Sequence, residues 1–218
     1  MSMPRPSRVW DAMLRGNARF IGGDPEHPRQ DVERRETVAG GQAPLAAIFG
    51  CSDSRLAAEI IFDLGLGDAF VVRNAGQVMS DTVLGSLEYA VGVLHVPLIL
   101  ILGHDECGAV RAAIDSQGPD AEPLPPHIAK LIEPIVPAVH RVSQTSLGQV
   151  VDPERVDAGE VGREHLRDTV AELLQSSEMI SAAVADGSLA IVGANYRLQE
   201  GRVVPDVLLG LAEPANKK

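Results

Sequence analysis

Two unbroken apolar runs constrain this chain more than anything else in it. Leu45-Ala46-Ala47-Ile48-Phe49-Gly50 and Pro97-Leu98-Ile99-Leu100-Ile101-Leu102-Gly103 carry no alternation of polar residues, and both stop at a glycine. Runs of this length and composition read as strands buried on both faces, the habit of a parallel sheet covered by helices. Each hands over at once to reactive side chains: Cys51-Ser52-Asp53-Ser54-Arg55 after the first, His104-Asp105-Glu106-Cys107-Gly108 after the second. Ligands of open α/β sheets sit beyond the carboxyl ends of the strands. If these two strands are neighbours, Cys51, His104 and Cys107 meet at one place.

The rest of the chain alternates in kind. Helical spacing of Val9, Trp10, Met13, Leu14 and Phe20 predicts a first helix, with Ser7 as its cap and Gly22-Gly23 as its end. A short exposed helix is expected over Asp31–Ala39, a helix over Leu56–Leu64 and a strand over Ala69–Val72. Ser80 or Asp81 caps a helix that Pro97 stops, and Cys107–Ile114 is a helix. Gly118–Pro126 reads as a Pro-rich acidic loop, Ile128–Val142 and Val161–Val184 as two further helices, and Leu189–Gly193 as a strand. Asn195–Val204 reads as a hairpin turning at Glu200-Gly201. This order predicts an α/β fold with a mainly parallel central sheet flanked by helices, one domain over 1–218, with residues 1–40 as an N-terminal helical arm and 213–218 as a flexible tail. Aromatic residues make up only 3% against 45% hydrophobic, so the core is aliphatic.

Two thiolates and one imidazole suit zinc, and three protein ligands with an open fourth position is the catalytic pattern. The chain has two cysteines, and both lie in the pentapeptides just quoted. A net charge of −11 argues against nucleic acid and against an anionic membrane surface. No apolar run approaches the ~20 residues of a membrane span, and Met1–Arg8 has no apolar stretch of the signal-peptide kind, so a cytoplasmic protein is expected.

The pair Cys-x-Asp-x-Arg and Gly-His-x-x-Cys-Gly resembles the β-class carbonic anhydrases, and the resemblance extends from about Trp10 to Asp206. It implies one Zn2+ per chain on Cys51, His104 and Cys107. It implies reversible hydration of CO2 to bicarbonate and a proton, by zinc-bound hydroxide that Asp53 and Arg55 orient. It also implies a second, closed state in which Asp53 is the fourth ligand. Gln42, Phe70 and Tyr89 match positions that line the substrate pocket, several of them supplied by a neighbouring subunit, and the backbone N–H of Gly108 faces the substrate oxygen. A dimer or tetramer is implied, with the active site near the dimer interface, and Trp10 is then either a packing anchor or an interface residue. Val93 stands where a proton-shuttle histidine is proposed in plant-type members, which leaves the shuttle unassigned. His95 is read as a helix-end or surface residue, and His27, His127, His140 and His165 as surface or core.

Two other readings share these residues. Hydrolysis of CS2 or COS calls for occluding insertions, and none is visible. A zinc-stabilised interaction protein has no use for Asp53, Arg55 and Gln42 together. Trp10 does not match the anion site of bicarbonate-regulated members, so no such regulation is expected. Asp105 and Glu106, between the second pair of ligands, are read as solvated or as raising the pKa of the zinc water.

Overall fold

The computed structural model describes residues 4–211. Five strands form one sheet: β1 (Ala46–Cys51), β2 (Ala69–Asn74), β3 (Leu98–His104), β4 (Ala190–Arg197) and β5 (Arg202–Leu209). Their order is β2-β1-β3-β4-β5. The first four run parallel, and β5 returns antiparallel to β4 through a hairpin. Every residue of β1 and β3 is buried. Helices cover both sides, which is why neither strand alternates with polar residues.

Strand parity divides the core. Ala46, Ile48, Leu98, Leu100, Leu102, Ala190 and Val192 face one side, where they pack on α1 (Pro6–Gly22), α3 (Ala58–Ile61), α5 (Gly108–Asp115), α6 (Pro126–Ile132) and α7 (Val136–Ser143). Ala47, Phe49, Ile99, Ile101 and Ile191 face the other, against α4 (Asp81–Gly92), α8 (Ala158–Ser176) and α9 (Glu178–Ala185). The short α2 (Val32–Val38) buries none of its residues. Among the described residues no helix is long and apolar enough to cross a membrane.

Several elements differ from the sequence reading, each for a local reason. The first helix starts at Pro6, with Arg5 rather than Ser7 as cap, because proline at the first helical position loses no hydrogen bond and presets φ. The helix expected over Leu56–Leu64 contracts to α3. Asp63 leaves it with φ 48, and its buried carboxylate accepts from Arg19 Nε and from the amides of Glu26 and His27. The expected Ile128–Val142 helix becomes α6, a 3-10 turn at Glu133–Ile135 and α7, since Pro134 and Pro137 lack the N–H a continuous helix needs. The expected Val161–Val184 helix is cut at Ser177, whose hydroxyl caps α9 at Ile180 N and donates to Glu88. Strands β2 and β4 run beyond their expected ends, to Asn74 and Arg197. The hairpin turns where expected, with Gly201 at φ 66. Trp10 is buried within its own chain, while the 213–218 tail lies outside the described residues.

Asn17 ties α1 to the hairpin. It is 3% exposed. Its amide donates to Ile61 O (3.2 Å) and Gly201 O (2.8 Å), and its oxygen accepts from Val203 N (3.0 Å). Asn17→Ala strands three backbone groups in the interior, each worth about 1 kcal/mol or more. We expect a loss of about 2–4 kcal/mol in urea unfolding with an unchanged slope; a loss under about 0.5 kcal/mol, the scale of a surface change, refutes this account.

Candidate metal centre

The strand order reverses between β1 and β3: β2 extends the sheet on one side and β4 on the other. The crevice beyond the carboxyl ends of two such strands is where α/β sheets hold ligands. Cys51 is the last residue of β1 and His104 the last of β3. Cys107 is the N-cap of α5, three residues after His104. Their ligand atoms lie within 4.8 Å of one another, and all three residues are buried.

The donor set fits a zinc ion. The two sulfurs stand 4.0 Å apart, close to the ~3.8 Å edge that tetrahedral Zn–S bonds of ~2.3 Å impose. His104 Nδ1–H donates to Asp105 O at 2.7 Å, so the lone pair is on Nε2. That nitrogen is buried and has no hydrogen-bond partner among the described residues. A buried acceptor beside two thiols is costly unless a cation takes it.

The surroundings favour sulfur anions. Cys51 Sγ accepts from Asp53 N (3.4 Å) and Gly76 N (3.3 Å). The Cys51 thiol is pulled down to about 4, first by the hydrogen bond from Cys107 and, against burial, by His104. Cys107 is pushed up by that bond and by burial, although the amides of Val110 and Ala109 oppose this. For His104, burial pulls down and the Cys51 sulfur more than compensates, so the net shift is upward.

Asp53 and Arg55 form a closed pair over the ligands. Asp53 Oδ1 accepts from Arg55 N and Nε, both at 2.9 Å, and Oδ2 accepts from Nη2 at 2.8 Å. These bonds hold the carboxyl well below its ordinary range. Asp53 Oδ2 is 4.0 Å from His104 Nε2. Arg55 Nη2 also donates to Glu106 O (3.1 Å), joining the two motifs. Sequence reasoning missed Arg73, which donates to Cys51 O (3.0 Å) and Asp53 O (2.7 Å) and so fixes the backbone between ligand and carboxylate; its place at the end of β2 was the available signal. Asp105 turns to structure: its carboxylate accepts from Leu198 N at 2.9 Å. The start of α5 is open, since a Cβ added at Gly108 meets nothing within 4 Å.

The remaining sequence candidates lie elsewhere on the chain. Gln42 is exposed on the loop entering the opposite end of β1. Phe70 pairs with Ala47, whereas Asn74 pairs with Cys51, which puts Phe70 roughly 13 Å down the sheet at ~3.3 Å per residue. Phe70 and Tyr89 do meet each other, with ring centroids 6.1 Å apart. Tyr89 is 45% exposed, and Val93, one turn on, is 56% exposed. His95 sits in the turn after α4 with φ 55. His140 is buried between Thr145 and Gln117, and His165 is buried against Gly76 O.

The family model described as carbonic anhydrase matches residues 46–203. Carbonic anhydrase 2 of Mycobacterium tuberculosis is 49% identical to the chain, over 94% of each. The carbonic anhydrase of Mycolicibacterium smegmatis is 46% identical, over 93% of this chain and 94% of its own. Among solved structures, the β-carbonic anhydrase CafA of Aspergillus fumigatus superposes with a TM-score of 0.67 at 26% identity, over 94% of this chain and 92% of its own. One of two tetrameric β-carbonic anhydrases from Sordaria macrospora gives 0.68 at 23% identity, over 91% and 96%.

Purified chain is expected to hold about one zinc, and His104→Ala or Cys107→Ala to retain under about a tenth of it through gel filtration, since a three-ligand site loses its chelate with any one of them. Zinc must displace the proton the two sulfurs share, so its apparent affinity should fall as pH falls. Elemental analysis with chelator titration checks both; undiminished zinc in both variants refutes the site.

Proposed function

The chain belongs to the β-carbonic anhydrase family and shares its enzyme class, and on this premise we propose that it interconverts CO2 and bicarbonate at one zinc ion held by Cys51, His104 and Cys107. The observation that carries this reading is the Asp53 carboxylate, held ionised by Arg55 with one oxygen 4.0 Å from the unpartnered Nε2 of His104. Zinc, when bound there, supplies a Lewis acid that lowers the pKa of a water from ~15.7 toward neutrality.

The chain's own residues do the aiming. Asp53 is anionic at any working pH, so its Oδ2 accepts a hydrogen bond from the nucleophile and turns a lone pair toward the substrate. Arg55 and Arg73 fix Asp53 from its side chain and its backbone. The amide of Gly108, at the open start of α5, faces developing negative charge with the helix dipole behind it. Two thiolates would leave a bound zinc a weaker Lewis acid than imidazoles would, so activity is expected to rise with pH. Both Asp53 oxygens are engaged by Arg55, which supports the open arrangement over one in which Asp53 is a fourth ligand.

Gln42, Phe70 and Tyr89 are too far along the chain to line the pocket of their own zinc site. The exposure of Gln42 and Tyr89, with Phe70 half-buried beside the Tyr89 ring, supports a role at the centre of a second copy, within a dimer or a higher assembly. The tetrameric relatives from Sordaria macrospora are in keeping with this.

Stopped-flow CO2 hydration on metal-quantified protein tests the reading. Asp53→Ala should keep its zinc and lose about 10²–10³ in kcat, the scale of one lost preorganised polar contact. Full zinc without hydration rejects the proposed reaction, and an active Asp53→Ala rejects the role of the carboxylate. Tyr89→Ala should also be impaired with zinc intact. Co-expressed with Asp53→Ala, it should recover about a quarter of parent activity, because half of randomly paired dimers are mixed and each mixed dimer has one intact site. No recovery places both residues in the same chain's site.

A further inference from the structure

Resting on the reading of Cys51 as a zinc ligand, we infer that His165 of α8 is a positioning residue for the metal centre, acting through Gly76 on the Cys51 sulfur. His165 is 2% exposed. It stands on a helix whose other buried positions are largely apolar: Val161, Leu166, Val170 and Leu173. Its Nε2 lies 2.8 Å from Gly76 O. A carbonyl only accepts, so Nε2 carries the proton. Nδ1 then holds a lone pair, and it is buried with no partner among the described residues. Burial also keeps the ring neutral. A buried imidazole with one nitrogen unsatisfied is an expensive choice for a helix face, and its single bond is made to the residue that donates to Cys51.

Gly76 links the two. Its N–H reaches Cys51 Sγ at 3.3 Å while its carbonyl receives His165. Only the φ and ψ of Gly76 lie between these bonds. They stand at 80° and 9°, in the left-handed region that glycine enters freely and also leaves freely. Gln77 follows at φ 43, a region that a residue with a side chain rarely enters. Asn74 clamps the turn through Val78, donating to its carbonyl (2.7 Å) and accepting from its amide (2.8 Å). That clamp makes no bond to the Gly76 carbonyl. His165 does, and so keeps the Gly76 N–H on the sulfur. The side is crowded as well: a Cβ at Gly76 would lie 2.9 Å from the Cβ of Ala109 in α5, the helix that carries Cys107.

Three variants separate the bond from the bulk. His165→Gln carries an N–H at the reach of Nε2, His165→Asn falls short of Gly76 O, and His165→Phe fills the space without a donor. Zinc affinity is read by chelator competition, and the cobalt(II)-substituted proteins report the thiolate-to-cobalt charge-transfer band. His165→Asn and His165→Phe should bind zinc about tenfold more weakly, the lower end for supporting partners of ligands, with the cobalt band shifted and His165→Gln close to the parent. Should His165→Phe fail to fold, His165→Asn carries the same comparison. Unchanged affinity and spectrum in the donor-less variants overturn the inference, as does equal impairment of His165→Gln, which would make the effect one of packing. A parent chain that binds neither metal would instead overturn the zinc reading itself.

Discussion

The parallel pairing of β1 with β3 is the constraint on which the rest of the molecule depends. Ala47 faces Ile99 and Gly50 faces Leu102 along that ladder. The register brings Cys51 and His104 to the same end of the sheet with their ligand atoms converging. A shift of one residue would turn every side chain to the opposite face. It would exchange the two cores and carry the sulfur away from the imidazole. The apolar run of each strand therefore does two jobs. Burial on both faces specifies the register, and the register assembles the metal centre.

Around that ladder the chain spends polar side chains where two segments must be held at a fixed separation. Arg73 bonds the carbonyls of Cys51 and Asp53. Arg55 bonds the Asp53 carboxylate and the Glu106 carbonyl. Asp105 bonds Leu198 N beyond β4. Each contact crosses from one ligand-bearing segment to another element, so the Cys51 loop, the His104 loop and the β4–β5 turn form one framework. Such cross-linking suits a centre whose three ligands come from two loops.

The two motifs and their strands were legible in the sequence because they are local: an apolar run, a glycine, a ligand. So were the helix cap at Ser80, one of two candidates, and the hairpin at Gly201. The breaks in the long helices were less legible. Pro134 and Pro137 are visible signals, but helical spacing of the apolar residues ran through them. At Ser177 the decision rests on Glu88, a partner eighty-nine residues away. Arg73 was signalled only by its place at the end of β2 and His165 by nothing local, for the same reason: what they touch is set by the fold and not by spacing. Gln42, Phe70 and Tyr89 are the extreme case, since even the folded chain does not bring them to its own metal ligands, and their proposed roles rest on a second copy.

Charge adds a last physical argument about the proposed reaction. The chain carries a net −11, yet the centre is close to neutral: zinc would offset two thiolates, and Arg55 offsets Asp53. CO2 has no net charge and gains nothing from the protein's field, so its arrival depends on diffusion and on the open approach over Gly108. Bicarbonate is an anion, and an acidic surface disfavours its retention. The surplus of carboxylates thus acts on one side of the equilibrium only, easing departure of the charged product while leaving capture of the neutral substrate unaltered. That asymmetry weakens with ionic strength as the field is screened, which gives salt an effect on bicarbonate handling that it does not have on CO2.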